Sequence, residues 1–255
     1  MALTHYTGEL KIPNTLQSAI AYNGNQKQKL ANKVKRGKRQ EVIDHFSLDN
    51  YPNPIVLLML PSLAWKDVIG ILDARDPGWR VTNEAPNTSF VAFEIVDEVY
   101  TKALKRIPGG ETVKKRFGID RTPCVGNSIV KYYVNCSVEE GLSNLNFRIT
   151  GGWLDLTGEL SQVKLKEYGW AFDTKMTGSL FITGSCVRNC VESRRQIDRM
   201  KAKNPNFKFL DWARTKLPSV VKADPYRSTR SQGITMYQLL MLKRRSSYRL
   251  GFSVP

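Results

Sequence analysis

The side chains of this sequence best suited to chemistry are lysines and arginines gathered in its two terminal parts, and they favour polyanion binding. Residues 1–40 carry eight Lys and Arg against one acid, and residues 191–255 carry fifteen against four. The residues between them are close to neutral, so the two segments hold the whole net charge of +16. Basic segments separated from a neutral body in this way are typical of proteins that bind nucleic acid or an anionic membrane.

The first basic segment and the start of the second contain the predicted polyanion-binding residues. In residues 27–39 seven of thirteen side chains are basic and none is acidic. In the second segment a predicted basic helix precedes the stretch FKFLDWARTKL, residues 207–217, whose aromatic side chains can stack on unpaired bases or complete an apolar core. The predicted polyanion-binding residues are Lys27, Lys29, Lys33, Lys35, Arg36, Lys38, Arg39, Arg194, Arg195, Lys201 and Lys203.

A third cluster near the end of the chain joins apolar to basic residues. Such a segment can contact an anionic membrane, and its basic part can serve as a nuclear import signal. A final core strand with a frayed basic end fits equally well. The residues predicted for membrane contact or import are Leu239, Leu240, Leu242, Lys243, Arg244 and Arg245.

Catalytic and metal-binding patterns are not found in the sequence. The only histidines, His5 and His45, have no neighbouring ligand or nucleophile motif, and there is no glycine-rich phosphate loop or hydrolase motif. The closest thiol pair, Cys186 and Cys190, lacks two further ligands at zinc spacing, and buried inert thiols are expected instead. The sequence therefore predicts no enzyme, no metal site and no cofactor.

Hydrophobic spacing and turn residues predict the elements that carry these side chains. Residues 55–60 are typical of a short buried strand or a helix end, and residues 65–73 of a strand. Residues 89–104 fit either a helix or a strand that enters a helix. Segments between residues 127 and 186, including 163–172, predict a mainly β region, and the alternation in residues 131–138 and 145–150 suits half-buried antiparallel strands.

These elements predict an α+β fold with an antiparallel β-rich body, short peripheral helices and a flexible basic arm. Residues 1–40 form the predicted arm, and residues 41–255 form one domain whose basic part is 191–255. The sequence shows neither a secretory signal nor an apolar run long enough to span a membrane.

Two stretches resemble matrix proteins of negative-strand RNA viruses, especially those of plant rhabdoviruses that replicate in the nucleus. They are TGSLFITGSCVRN with the later NPNFKFLDWARTKL, residues 177–189 and 204–217, and the apolar-then-basic LLMLKRR, residues 239–245. The chain has no PPxY-type motif, which such proteins use in budding, and residues 1–120 do not match the animal rhabdovirus proteins.

The resemblance implies a non-enzymatic viral structural protein that condenses nucleocapsids beneath an envelope. Its implied partners are the viral nucleocapsid and RNA, an anionic membrane, a glycoprotein tail, a nuclear import receptor and further copies of itself. Its implied locations are the virion and the host nucleus with associated membranes.

A second viral family offers an alternative interpretation. VIGILDARD, residues 68–76, is similar to the Asp-x-Arg signature of 30K plant-virus movement proteins, and VKYYVNCSV, residues 130–138, to their tyrosine-rich strand. Under that interpretation the chain binds single-stranded RNA; otherwise Asp73 and Arg75 form a turn-flanking ion pair. A nucleocapsid protein is a third, weaker alternative.

Overall fold

A computed structural model describes residues 26–82, 85–159, 162–185, 217, 219–227 and 235–243. Its elements in chain order are α1 (Gln26–His45), β1 (Ile55–Met59), α2 (Lys66–Arg75), β2 (Thr88–Phe93), α3 (Asp97–Leu104), β3 (Val113–Phe117), β4 (Thr122–Gly126), β5 (Val130–Val134), α4 (Val138–Asn144), β6 (Ile149–Glu159), α5 (Gln162–Lys175), β7 (Met176–Ser185), β8 (Val220–Arg227) and β9 (Thr235–Leu242).

The nine strands form one mixed sheet in the order β3-β4-β5-β2-β1-β6-β7-β9-β8. The five adjacent strands β5, β2, β1, β6 and β7 are parallel. At one side the β3–β4 hairpin pairs antiparallel with β5, and at the other side β9 runs antiparallel between β7 and β8. The sheet is therefore mostly parallel at its centre and antiparallel at both edges.

Helices cover both faces of this sheet, which explains why the residues of β1 and β2 are almost all buried. All six residues of β2 are buried, as expected for a parallel strand covered on both faces. Residues of α1, α2 and the end of α3 pack with one face, and residues of α4 and α5 pack with the other. The result is a three-layer α/β architecture with two apolar clusters separated by the sheet.

The predicted antiparallel β-rich body is wrong, because the centre of the sheet is parallel and α/β. Two segments predicted as strands are helices. Residues 66–75 form α2, which buries Val68, Ile71 and Leu72 at helical spacing. Residues 162–175 form α5, which buries Leu165, Tyr168 and Phe172 in the same way.

The predicted flexible arm also needs correction, since α1 begins at Gln26 and continues past residue 40 to His45. The apolar end of this helix explains its docking: Val42 and Phe46 are fully buried against the sheet. Residues 1–25 lie outside the described residues. Within the described part of the chain, no helix is both long enough and apolar enough to span a membrane.

Candidate active site

The carboxyl ends of the five parallel strands meet at one edge of the sheet. Strand order reverses between β1 and β6, because β2 and β5 follow on one side of β1 whereas β6 and β7 lie on the other. In open α/β sheets ligands bind outside the carboxyl ends of the strands, at the point where the strand order reverses. The side chains of this carboxyl edge therefore define the candidate site.

Glu94 is the first residue beyond the carboxyl end of β2, and it is half-buried. Its Oε1 accepts a hydrogen bond from the backbone N–H of Val96 at 2.9 Å, which holds the carboxylate at the start of α3. Burial is the main cause that raises the pKa of Glu94 above its ordinary value, while the backbone hydrogen bonds oppose the shift. The edge thus carries a fixed, partly desolvated carboxyl group.

Tyr133 interacts electrostatically with this carboxyl group, and two further aromatic side chains pack against Tyr133. The buried rings of Trp65 and Tyr133 meet edge to face with centroids 5.0 Å apart, and Tyr100 lies 4.4 Å from Tyr133. The ring of Trp65 is fixed by a hydrogen bond, because its Nε1 donates to the backbone carbonyl of Ala103 at 2.9 Å. The hydroxyl of Tyr133 is buried with no hydrogen-bond partner among the described residues. Burial is the main cause that raises the pKa of this hydroxyl, and the charge of Glu94 adds to the shift. These rings make a rigid aromatic wall.

Asn135 extends the polar part of this wall from the end of β5. Its Nδ2 donates to Oδ1 of Asp97, the first residue of α3. The two neighbouring strands β2 and β5 thus each end in a polar side chain tied to the beginning of the same helix.

A second polar group lies across the strand-order reversal. In the sheet register Asp155 of β6 pairs with Thr183 of β7, which pairs with Gln238 of β9. Thr183 and Gln238 are buried, while Asp155 is exposed. Because paired residues share a face, all three lie on the face that α1 covers, and Nε2 of Gln238 donates to the backbone carbonyl of Lys38 at 3.4 Å.

The position of Asp155 relative to Glu94 follows from the same register. Met59, the last residue of β1, pairs with Ala92 on one side and with Trp153 on the other. Glu94 and Asp155 are each two residues further along their strands, so both acids lie beyond the end of β1 on the same sheet face. The two carboxyl groups therefore flank the strand-order reversal.

The turn between β1 and α2, residues 60–65, contains no glycine. Its last residue, Trp65, has a left-handed backbone with φ of 53°. Glycines in this turn let a pyrophosphate approach the backbone in dinucleotide-binding sheets. This edge therefore lacks the glycines of a dinucleotide-binding turn.

The β3–β4 hairpin reaches the same edge. Since β3 runs parallel to β5, its turn, residues 118–121, lies at the carboxyl edge. Gly118 has a φ of 65° there, and a Cβ on it would lie 2.0 Å from the carbonyl oxygen of Asn144. The turn is thus fitted closely against the end of α4, with Ile119 and Arg121 exposed.

The sequence-predicted polyanion-binding residues divide into two groups. Lys27, Lys29, Lys33 and Lys35 lie in α1, but their side chains are outside the described part. Arg36 is exposed, Lys38 pairs with Glu41 at 3.0 Å, and Arg39 pairs with Asp67. Arg194, Arg195, Lys201 and Lys203 are outside the described residues. The polyanion-binding role of both groups stays a prediction.

The C-terminal cluster lies partly in the sheet. Leu239 and Leu240 are buried on β9 between β7 and β8, so membrane contact by these leucines would require the strand to leave the sheet. Leu242 is half-buried, and Lys243 donates to the carbonyl of Asp173 at 2.7 Å. Arg244 and Arg245 lie outside the described residues, and a role in import stays a prediction.

Asp73 and Arg75 do not form the predicted ion pair. Arg75 is buried, and its guanidinium donates to the carbonyls of Phe46 and Tyr51 at 2.6 and 2.8 Å. Asp73 instead accepts hydrogen bonds from Trp79 and Arg80 on the surface. The pattern taken for a movement-protein signature is therefore an internal anchor at the end of α2.

Cys124 and Cys136 are free and buried, as expected for inert thiols. Burial raises the pKa of Cys124 to about 11 and that of Cys136 to about 12. Cys186 and Cys190 lie outside the described residues. Within the described residues no group of three or more His, Cys, Asp and Glu side chains is placed to hold a metal ion.

No protein-family model matches the chain, and comparison with curated proteins gives no match. Among solved structures, the cyclopropane synthase MmaA2 from Mycobacterium tuberculosis is similar with a TM-score of 0.51 and 6% identity, over 81% of this chain and 83% of that one. An O-methyltransferase from Bacillus cereus in complex with SAH gives a TM-score of 0.48 and 14% identity, over 95% and 98%. The N-methyltransferase NodS from Bradyrhizobium japonicum WM9, in complex with S-adenosyl-L-homocysteine (SAH), gives 0.47 and 10%, over 90% and 98%.

The similarity to MmaA2 shows that the chain has a Rossmann-like α/β fold. It overturns the matrix-protein prediction, and the movement-protein and nucleocapsid alternatives have no support among these structures. The prediction that the chain is not an enzyme is also contradicted, since the similar structure MmaA2 is a synthase. The virion and nuclear locations depended on the viral resemblance and have no support.

The sequence analysis missed both Glu94 and Asp155. A signal for Glu94 was present, because this acid directly follows the uninterrupted apolar run of β2. Asp155 follows the apolar pair Trp153 and Leu154 in β6. Acids placed directly after buried strands become informative once the strands are known to be parallel, because their carboxyl ends then share one edge.

Proposed function

We propose that this chain is an S-adenosylmethionine-dependent methyltransferase. The observation that carries the proposal is the half-buried carboxyl group of Glu94 at the end of β2, beside the strand-order reversal. In nucleotide-binding sheets an acidic side chain beyond the first turn hydrogen-bonds the hydroxyls of a ribose. Oε1 of Glu94 is already fixed by Val96, so the carboxylate is preorganised to accept further hydrogen bonds.

The residues of the carboxyl edge fit the nucleoside part of the cofactor. Glu94 would accept hydrogen bonds from the ribose hydroxyls. Tyr100, which is half-buried and packs on the fully buried ring of Tyr133, supplies aromatic surface at that end of the sheet. S-adenosylmethionine carries no phosphate, so the turn without glycine does not conflict with this fit. When bound, the cofactor supplies a methyl group activated by a sulfonium centre.

Asp155 is the residue we propose to act on the methyl acceptor. It lies across the strand-order reversal from Glu94, is exposed, and belongs to a strand rather than a mobile loop. A carboxylate so placed can accept a proton from a hydroxyl or amine as that group becomes a nucleophile. The buried pair of Trp153 Nε1 and Thr183 Oγ1, 2.9 Å apart, fixes the neighbouring part of β6 and thus positions Asp155.

We propose a nucleic acid as the acceptor class, supported by charge at the same edge. Residues 113–121, which are β3 and the β3–β4 turn, contain four basic side chains and one acidic side chain. Of these, Lys114, Arg116 and Arg121 are exposed on the hairpin. Cations of this kind bind phosphates without selecting a sequence and would bring a polyanionic acceptor to the edge.

The activity is tested by methyl transfer from S-adenosylmethionine labelled in its methyl group to a transcribed RNA of mixed sequence. Label should enter the RNA with the unaltered protein and fall at least about a hundredfold with Asp155→Asn, as expected when a general base is lost. Asp173→Asn, an exposed acid at the far end of α5, is the matched control and should retain the activity. Equal activity of the two variants would remove Asp155 from the mechanism.

A further inference from the structure

The sheet has a second concave surface at its opposite end. A cleft of about 440 Å³ is formed where β1, β2, β6 and β7 begin, with the start of β5 at one side. This amino-edge cleft is separated from the carboxyl edge by the length of the strands, which is roughly 16 Å for five residues. It therefore lies outside the proposed methyl-transfer site, and a ligand can bind in it whether or not that site is occupied.

Two cations border the amino-edge cleft, Lys131 of β5 and Arg148 directly before β6. Both are exposed, and neither has an ion-pair partner among the described carboxylates. No acidic side chain is among the described residues that line the cleft. The positive charge of the cleft is consequently not neutralised from within the described fold.

Some other cations of the described surface, by contrast, are ion-paired. Lys102 pairs with Glu98 at 2.6 Å, and Arg80 pairs with Asp73 at 3.1 Å. Two unpaired cations at one concavity concentrate positive potential there, because the low-dielectric walls of a cleft focus the field.

Neutral hydrogen-bonding groups line the same cleft. Oγ1 of Thr150 accepts from the backbone N–H of Val56 at 3.2 Å, which leaves its own O–H able to donate. Ser128 and Asn87 add a hydroxyl and a side-chain amide. Donors of this kind, together with a planar guanidinium, match the several oxygens of a phosphate group better than the two of a carboxylate.

We propose that the amino-edge cleft binds a small phosphorylated ligand, with Lys131 and Arg148 contacting its phosphate. The volume lies within the range of small-molecule sites, which is about 300–1,000 Å³. The apolar side chains of Ile55, Val56 and Ile149 offer surface to the non-phosphate part of the ligand.

Inorganic pyrophosphate is the probe, since it lacks the nucleoside that the carboxyl edge would bind. Isothermal titration calorimetry should show binding to the full chain that weakens about tenfold or more in Lys131→Gln/Arg148→Gln, because two charge-assisted contacts are lost. The matched control, Lys105→Gln/Arg106→Gln, removes the same charges from an exposed site beyond α3 and should change the affinity less than about twofold.

Equal weakening by the two double variants would show that pyrophosphate responds only to net charge and would overturn the proposal. No detectable binding by the unaltered chain would overturn it as well. The last measurement is the binding of an unstructured oligouridylate to the same proteins. If its binding falls in Lys131→Gln/Arg148→Gln while pyrophosphate binding does not, the cleft is part of a nucleic-acid surface, and the small-ligand proposal is wrong.

Discussion

Oε1 of Glu94 accepts a hydrogen bond from the backbone N–H of Val96 at 2.9 Å, and this contact joins the end of β2 to the beginning of α3. The carboxyl group is held in place by the chain that follows it, and burial raises its pKa. Burial disfavours the charged form of Glu94, so the stability of the fold alone does not require this carboxyl group. A carboxyl group in such a position is a candidate ligand-binding residue.

Glu94→Gln should not destabilise the fold. A pKa raised in the folded state means that the native protein holds the proton more tightly than the unfolded chain, so the charged carboxylate costs stability above the folded pKa. At pH 7 the variant should therefore be as stable as the unaltered chain, or more stable by less than about 1 kcal/mol. Below the ordinary glutamate pKa of 4.5, the difference in the free energy of unfolding between the variant and the unaltered chain should vanish. Urea unfolding at pH 7 and pH 4 measures this, and a clear loss of stability at pH 7 would contradict it.

Arg75→Lys should be strongly destabilising although it keeps the charge. The guanidinium makes four hydrogen bonds, to Thr88 Oγ1, Asn53 Oδ1 and two backbone carbonyls, at 2.6 to 3.0 Å. An ammonium group cannot reach this set from one point, so we expect a loss of about 2–4 kcal/mol in the free energy of unfolding.

Arg80→Lys is the control for that substitution, because Arg80 lies on the surface and pairs with Asp73. It should cost less than about 0.5 kcal/mol. Urea unfolding of both variants measures the two changes in the free energy of unfolding. Similar losses of stability would show that the buried hydrogen bonds of Arg75 contribute little.

Gly118→Ala should cost more stability than Gly110→Ala. Both glycines have positive φ, 65° and 80°, so both substitutions carry a backbone penalty of about 1 kcal/mol. Only at Gly118 would the new Cβ collide with a backbone carbonyl, that of Asn144 at 2.0 Å, whereas nothing lies within 4 Å at Gly110. We expect an additional loss of about 1–3 kcal/mol for Gly118→Ala in thermal unfolding. Equal losses would mean that the hairpin turn is not held against α4.

Tyr133→Phe and Tyr168→Phe should have opposite effects on stability. The buried hydroxyl of Tyr133 has no partner among the described residues, so its removal should be neutral or stabilising by up to about 1 kcal/mol. The hydroxyl of Tyr168 donates to Oε1 of Glu139 at 2.9 Å, and its loss should cost about 1 kcal/mol. Chemical denaturation checks both, and a destabilised Tyr133→Phe would reveal an internal partner for that hydroxyl.

The strand Ile55–Met59 agrees with one of the two expectations for residues 55–60, a short buried strand or a helix end, because an apolar run of this length fits either. The same approach failed for α2 and α5. In α2 the β-branched residues of WKDVIGILD suggested a strand, although the buried Val68, Ile71 and Leu72 follow helical spacing. The β region predicted for residues 163–172 is likewise wrong, because these residues belong to α5.

Those two errors account for the wrong fold class. When the helices that connect parallel strands are interpreted as strands, the β–α alternation disappears, and consecutive strands suggest an antiparallel sheet. Neither Glu94 nor Asp155 then stands out, since their nearness depends on parallel strands sharing an edge. The basic segments dominated the interpretation instead, although net charge carries no information about fold.

The central claim is that the carboxyl edge beside Glu94 binds the nucleoside of S-adenosylmethionine. Isothermal titration calorimetry with S-adenosylhomocysteine, using the unaltered chain, Glu94→Gln and Glu98→Gln, tests it most directly. Glu98 is an exposed acid in the first turn of α3, so its variant controls for lost charge nearby. We predict binding that weakens about tenfold or more in Glu94→Gln and less than about twofold in Glu98→Gln. No binding by the unaltered chain, or equal affinities for all three proteins, would contradict the claim.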